Sequence, residues 1–388
     1  MRGVSPSVVY GQYQRVLQGQ VILTEYRFSY RDRSTPQGND LYLKFEVEPG
    51  SKPPTNVHVL IGHNGAGKTT MFNNMIGALI PSARTNGNGG EFFEIGAFNT
   101  TGLPADYFSS VVSVSFSAFD PFPPPQDQTD RTQGLAYFYV GMKKKRAGAG
   151  NSVTAPKSDR ELVDDFIESF EVCMSQPAKR ARLRAALERL ETSGAMAKFP
   201  LERLTNMSED EDPIGKAREF ASGMSSGQAI VLLTITKLVE TVQEKTLVLI
   251  DEPESHLHPP LLSAFTRALS DLLHNRNGVA IVATHSPVVA QEVPKSCVWV
   301  LTRHNTQRRA DRPSRETFGE NVGILTKEIF GLAVSESGFL AMLKKSVDEG
   351  GTFESIMDEY GGQVGLEAQA ILRSLIASRG TRASGHVR

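Results

Sequence analysis

The sequence predicts an α/β fold: a mixed, largely parallel sheet preceded by antiparallel strands, with a helical insertion and a helical C-terminal tail. Three observations carry this expectation. Short β-rich apolar runs alternate with segments of helical period along most of the chain, the pattern of a parallel sheet with right-handed connections. One long stretch, 160–220, is helical with no strand inside it. The 388 residues are 39% hydrophobic and 22% charged, a balance that suits a globular chain with a sizeable core.

Taken in order, Val21–Tyr30 (VILTEYRFSY) and Leu41–Val47 (LYLKFEV) read as two antiparallel strands joined by the polar turn RDRSTPQGND. Val57–Ile61 (VHVLI), a glycine-rich loop and TTMFNNMIGALI read as strand, loop and helix. Val111–Phe116 and Leu135–Gly141 read as strands, separated by the consecutive prolines of DPFPPPQDQTD, which forbid helix and central strand. In the helical block Leu162, Phe166, Phe170 and Cys173 share one face; after Pro177, Leu183, Leu187 and Leu190 share another. The alternation resumes with helix Ser225–Val242, strand Thr246–Ile250, helix Leu261–Leu273, and strands Val279–Ala283 and Val298–Thr302. A polar loop, His304–Arg315, then leads to a helical tail whose end, Gly380–Arg388, is expected to fray. The resulting division is 1–155 for an N-terminal lobe, 156–220 for the insertion, 221–303 for a C-terminal lobe and 304–388 for the tail.

Composition excludes several classes. Forty-two Lys+Arg against 43 Asp+Glu leave a net charge of −1, so no global field draws the chain to nucleic acid or anionic lipid. Two cysteines, Cys173 and Cys297, provide no disulfide framework or cysteine-rich zinc module. The N-terminus lacks a signal-peptide core, and the longest apolar runs fall short of a membrane span, so a cytoplasmic protein without membrane contact is expected. Lys143–Arg146 (KKKR) reads as a solvated charge run, with contact to DNA phosphate as the alternative.

The chemistry starts at Gly62-His63-Asn64-Gly65-Ala66-Gly67-Lys68-Thr69, which matches G-x-x-x-x-G-K-[ST] between a strand and a helix. Glycines at Gly62, Gly65 and Gly67 let backbone N–H groups, with those of Asn64, Ala66 and Thr70, curl around phosphate at a helix N-terminus. Lys68 is placed to reach the terminal phosphate oxygens and Thr69 to ligate Mg²⁺. In Thr246–Glu252 (TLVLIDE), the apolar strand carries Asp251 to the sheet's C-terminal edge as a second Mg²⁺ group, with Glu252 beside it as general base. ATP with Mg²⁺ is the expected ligand.

Two further motifs join these. Met224-Ser225-Ser226-Gly227-Gln228 resembles the ABC signature motif, and His285, after a strand, resembles the switch histidine of ABC-type ATPases. The resemblance covers about residues 20–302. It implies the ABC-ATPase P-loop fold, and a head-to-tail dimer in which Ser225, Ser226, Gly227 and Gln228 of one protomer complete the ATP site of the other. The Ser225 hydroxyl, the Gly227 N–H and the helix dipole are chemically suited to that task. The string Asp251-Glu252-Pro253-Glu254-Ser255-His256-Leu257-His258-Pro259 is similar to the OLD/RecF-related (AAA_21-like) branch. Thr317–Gly323 (TFGENVG) further resembles Septu-type anti-phage ATPases. Glu254, His256 and His258 then read as the loop crossing the dimer interface, in preference to a metal site. Two positions depart from the family. Ser115, Phe116 and Ser117 stand where a Q-loop glutamine is expected, leaving Gln126 and Gln128 as candidate substitutes, and Ser226 replaces the first signature glycine.

Too few residues follow Thr302 for a Toprim nuclease domain, and the eight histidines do not form an HNH constellation. The resemblance therefore implies an ATPase subunit of an anti-phage defence complex, a homodimer or higher even-numbered assembly, that regulates a separate HNH-type nuclease and meets nucleic acid through it. The alternative is a RecF/SMC-like repair ATPase acting directly on DNA. It would need a basic groove or long heptad arm, and Pro177 interrupts any heptad in the insertion.

Overall fold

In the computed structural model the described residues are 21–33, 40–83, 89–96, 100–117, 122–130, 132, 134–144, 156–192, 201–207, 211–304, 307–331 and 338–384. The chain divides into two compact units, Met1–Leu325 and Thr326–Arg388.

The first unit contains two sheets. Strands β1 (Tyr26–Asp32), β2 (Leu41–Val47), β4 (Glu91–Ile95) and β5 (Thr100–Gly102) form an antiparallel sheet in the order β2-β1-β4-β5. Phe28 pairs with Phe45 in the β1–β2 register, and their rings stack at 5.1 Å. The β1–β2 hairpin is as expected, with β1 starting later, at Tyr26, and most of its turn (34–39) outside the described residues. The short strands β4 and β5 carry little apolar alternation, and the sequence did not mark them.

The second sheet has seven strands in the order β11-β10-β3-β9-β8-β6-β7. They are β3 (Val57–Gly62), β6 (Ser110–Ser115), β7 (Ala136–Gly141), β8 (Thr246–Asp251), β9 (Val279–Thr284), β10 (Val298–His304) and β11 (Gln307–Asp311). All pairings are parallel except β10–β11. Strands β3, β8 and β9 are buried at every position, which is why they read as unbroken apolar runs. Strand β11 corrects the polar loop expected over 304–315. Its residues, QRRAD, are exposed or half-buried, so backbone pairing at a sheet edge, with no apolar face, makes it a strand.

Helix α1 (Lys68–Leu79) packs against β1 and β4 on one side and β6, β8 and β9 on the other. Met71, Phe72, Met75 and Ile76 of α1 join Phe28, Phe45, Leu249 and Ile281 in the core between the two sheets. The insertion comprises α2 (Asp159–Ser175), α3 (Pro177–Glu191), α4 (Leu201–Asn206) and α5 (Pro213–Ser222). Its buried faces are those expected: Leu162, Phe166, Phe170 and Cys173 on α2, and Leu183, Leu187 and Leu190 on α3. Pro177 opens α3, where its missing N–H costs nothing. Helix α2 packs on α6 (Ser226–Thr241), and α3 on α7 (Pro259–Arg276); α8 (Pro287–Gln291) follows β9.

The charge run meets a correction. Lys143 is buried, and its Nζ donates to the Phe122 carbonyl at 3.1 Å; a lysine stem can pack inside when its ammonium finds an acceptor. Lys144 is exposed and pairs with Glu161, while Lys145 and Arg146 lie outside the described residues. Both cysteines are free and buried.

Helix α9 (Val322–Phe330) spans the junction between the units. In the second unit, α10 (Gly338–Asp348), α11 (Phe353–Glu359) and α12 (Leu366–Ser384) bury Leu343, Val347, Ile356 and Leu372 together. Helix α12 runs through Gly380, where fraying was expected, and 385–388 lie outside the described residues. Among the described residues no helix is long and apolar enough to cross a membrane.

Candidate nucleotide-binding and hydrolysis site

The site forms where β3, β8 and β9 end side by side. After β3 the chain turns through Asn64, Gly65, Ala66 and Gly67 into α1. Gly65 and Gly67 have φ of +80° and +90°, a conformation that any side chain would strain, and Gly67 caps α1 with no side-chain acceptor for the first helical N–H groups. The loop is a concave set of backbone donors at a positive helix end, suited to an anion.

Lys68 is 4% exposed, and its Nζ donates to the Gly62 carbonyl at 3.0 Å and the His63 carbonyl at 3.3 Å. Burial lowers its ammonium from the ordinary lysine value, while Glu252, Asp251 and Glu254, in that order, push it back up. Asp251 at the end of β8, and Glu252 and Glu254 after it, thus favour the charged form of the loop lysine.

Thr69 and Asp251 line one cavity of about 50 Å³ with Asn73, Ser113, Ser115 and Tyr139; Pro123, Pro124 and Pro125 form part of its wall. Asp251 is 6% exposed and stands in register with Ser115 of β6 and Ala283 of β9. A hydroxyl and a carboxylate are hard oxygen donors, the set that suits Mg²⁺, which takes its remaining ligands from water and phosphate. Among the described residues no group of three or more His, Cys, Asp and Glu is placed together to hold a metal ion. Glu252 has φ of +50°, and its N–H donates to the Ala283 carbonyl at 2.9 Å, tying the turn after β8 to β9.

His285 follows β9. Its Nδ1 lies 2.9 Å from Glu254 Oε1, and its backbone N–H donates to the same oxygen. Sequence reasoning placed Glu254 only in a loop; the fold brings it against His285. Two arginines were also missed. Arg303 Nη1 donates to the Gly65 carbonyl at 3.3 Å, and Arg308, ion-paired with Asp32 at 2.9 Å, lies beside Gly67. Both come from the β10–β11 hairpin, which has no apolar signal, so nothing in the sequence connected them with the loop.

Ser225 caps α6 in a closed capping box. Gln228 N–H donates to Ser225 Oγ at 3.4 Å, and Gln228 Oε1 accepts from Ser225 N at 3.1 Å. Ser226 is the first residue of α6. Gly227 packs on the 253–258 loop so closely that a Cβ would lie 2.6 Å from the His256 carbonyl oxygen. The His256 ring in turn bonds the Phe116 carbonyl at 3.1 Å, so one loop links the end of β6 to the tip of α6. Helix α6 packs on α2, β6, β7 and α7, whereas α1 packs on β1, β4, β6, β8 and β9. The signature tip and the phosphate loop are thus carried by different layers. Of the candidate Q-loop substitutes, Gln128 is tied into a bridge with Tyr137 and donates to the Leu135 carbonyl at 3.1 Å, and Gln126 is exposed.

A phosphate loop on β3, an acidic end on β8 with one strand between them, and a histidine after that intervening strand are the arrangement of a P-loop ATPase. The chain belongs to the AAA_21 family, described as "AAA domain, putative AbiEii toxin, Type IV TA system", which matches residues 73–290. Protein ea59 of Escherichia phage lambda is 46% identical over 397 residues, covering 98% of this chain and 74% of that protein. Among solved structures, an ATP-binding cassette of an ABC transporter in its ADP conformation is 14% identical over 80% of this chain and 97% of its own, with a TM-score of 0.39. The RNase-L inhibitor is 14% identical over 74% of this chain and 40% of its own, with a TM-score of 0.34.

Proposed function

We propose that this chain binds and hydrolyses ATP in a head-to-tail homodimer, and that the dimer is the ATPase subunit of an anti-phage defence complex controlling a separate HNH-type nuclease. The observation that carries the ATPase reading is the left-handed Gly65–Gly67 turn opening α1, with Lys68 Nζ held against its backbone and Thr69 and Asp251 lining one cavity at the strand ends. The loop N–H groups and Lys68 would hold the phosphates, and Thr69 and Asp251 would hold a Mg²⁺ that, when bound, would neutralise phosphate charge. Glu252 accepts a proton from water as the water oxygen bonds to the terminal phosphorus and the bond to the ADP oxygen breaks. His285 donates to the terminal phosphate.

Dimerisation is inferred from the separation of the signature tip from α1 in packing: a tip with a helix dipole and backbone donors suits an anion presented by another protomer. The defence assignment and the nuclease rest on the Septu-like strings and on the toxin–antitoxin description of the family. The test is direct. Co-purification with the products of neighbouring genes should recover a nuclease, and Lys68→Ala should bind no nucleotide. Recovery of no partner, with tight salt-dependent DNA binding by the chain alone, would favour the repair-ATPase reading.

A further inference from the structure

We propose that Glu254 is a positioning residue for His285, fixing the imidazole so that Nδ1 carries a proton toward the carboxylate and Nε2 is presented to the nucleotide. The proposal rests on the ATPase reading above, and on geometry that the motif alone does not reveal. A single oxygen, Glu254 Oε1, accepts from both the backbone N–H and the Nδ1 of His285, the latter at 2.9 Å. Two bonds from one oxygen to one residue close a small ring, which leaves the imidazole a single setting of its side-chain torsions. An oxygen already accepting the backbone N–H is an acceptor, so the ring nitrogen facing it is the donor. Nε2 has no hydrogen-bond partner among the described residues, and the His285 side chain is 44% exposed.

Glu254 is costly for a mere scaffold. Its side chain is 8% exposed, and Oε2 is buried with no hydrogen-bond partner. Buried polar atoms in native folds are normally satisfied, and the exceptions concentrate where function requires a charge. A neutral amide would hold the His285 backbone as well with less desolvation. The same carboxylate acts on Lys68 together with Asp251 and Glu252, so it stands within the site. Outer partners of functional imidazoles select the tautomer and ring orientation, and their loss lowers activity roughly 10–100-fold.

The test uses the full chain labelled with ¹⁵N and free of nucleotide. Long-range imidazole N–H correlation, with the His285 signals identified by their loss in His285→Gln, reports which ring nitrogen is protonated. Wild type should show the proton on Nδ1, and Glu254→Ala should move it to Nε2. In steady-state hydrolysis Glu254→Ala should lose kcat about 10–100-fold with little change in KM, and Glu254→Gln should recover a large part of that loss. A wild-type His285 protonated on Nε2 overturns the proposal. So does a Glu254→Ala protein that keeps the Nδ1 proton, or one whose kcat is unchanged. If wild type hydrolyses no ATP, the ATPase reading falls, and the spectra still decide whether Glu254 sets the ring.

Discussion

Individual side chains here do work that their residue type alone does not announce. Lys68 Nζ donates to the Gly62 and His63 carbonyls, bonds that a bound phosphate would have to compete with. Lys68→Ala should abolish nucleotide binding in equilibrium titration, and Glu252→Gln should bind ATP with near-normal affinity while kcat falls by roughly two orders of magnitude or more. Far from the strand ends, His58 is fully buried on β3, edge-on to Phe45 with ring centroids 5.2 Å apart. Burial, and then the nearby Arg312 charge, lower its pKa from 6.5 to about 3. The unfolded chain protonates this ring below about pH 6.5, whereas the folded chain resists until about pH 3, so its contribution to stability falls with pH across that window. The unfolding free energy in urea should fall as the pH is lowered from 6.5 to 4, by up to about 1.4 kcal/mol per pH unit from this group, and His58→Leu should flatten that slope.

At the scale of elements, function depends on loops seated on rigid strands and on one edge hairpin. The β10–β11 hairpin is held to the antiparallel sheet by the Arg308–Asp32 pair, in which Asp32 is completely buried. Arg308→Ala leaves a buried carboxylate short of its cation and should cost about 3 kcal/mol in urea unfolding, a loss that Asp32→Asn in the same chain should largely restore. The 253–258 loop packs under the tip of α6 with no space at Gly227. Gly227→Ala must displace backbone against backbone; a cost of about 1–3 kcal/mol is expected, with ATP binding retained and turnover lost. Sequence reading was strongest for elements buried on both faces, such as β3, β8 and β9. It was weakest for β4, β5 and β11, which backbone pairing and edge position create without an apolar pattern.

For the whole molecule, the unit 1–325 carries the phosphate loop on α1 and the capped tip of α6 on different helices. If two copies share nucleotide, Glu252→Gln with ATP and Mg²⁺ should shift from monomer to dimer in light scattering, and Lys68→Ala should remain monomeric under the same conditions. A Glu252→Gln protein that binds ATP and stays monomeric at micromolar concentration would remove the head-to-tail arrangement. Among the described residues the second unit has a small core of Leu343, Val347, Ile356 and Leu372. Leu372→Ala should therefore melt it at a cost of about 2–5 kcal/mol, while ATP binding by the first unit persists.

The sequence by itself determined the class of fold, the phosphate loop with Lys68 and Thr69, the acidic end of β8, and the capped start of α6. Each of these is a local pattern, set by spacing, hydrophobic period and turn chemistry within about a dozen residues. Only the tertiary structure decided that Glu254 holds His285, that Arg303 and Arg308 stand over the loop, that three prolines wall the cavity beside Asp251, and that Lys143 is buried. Those contacts join residues from 21 to 241 positions apart through strand order and helix packing, and no local preference encodes which distant segments a fold brings together.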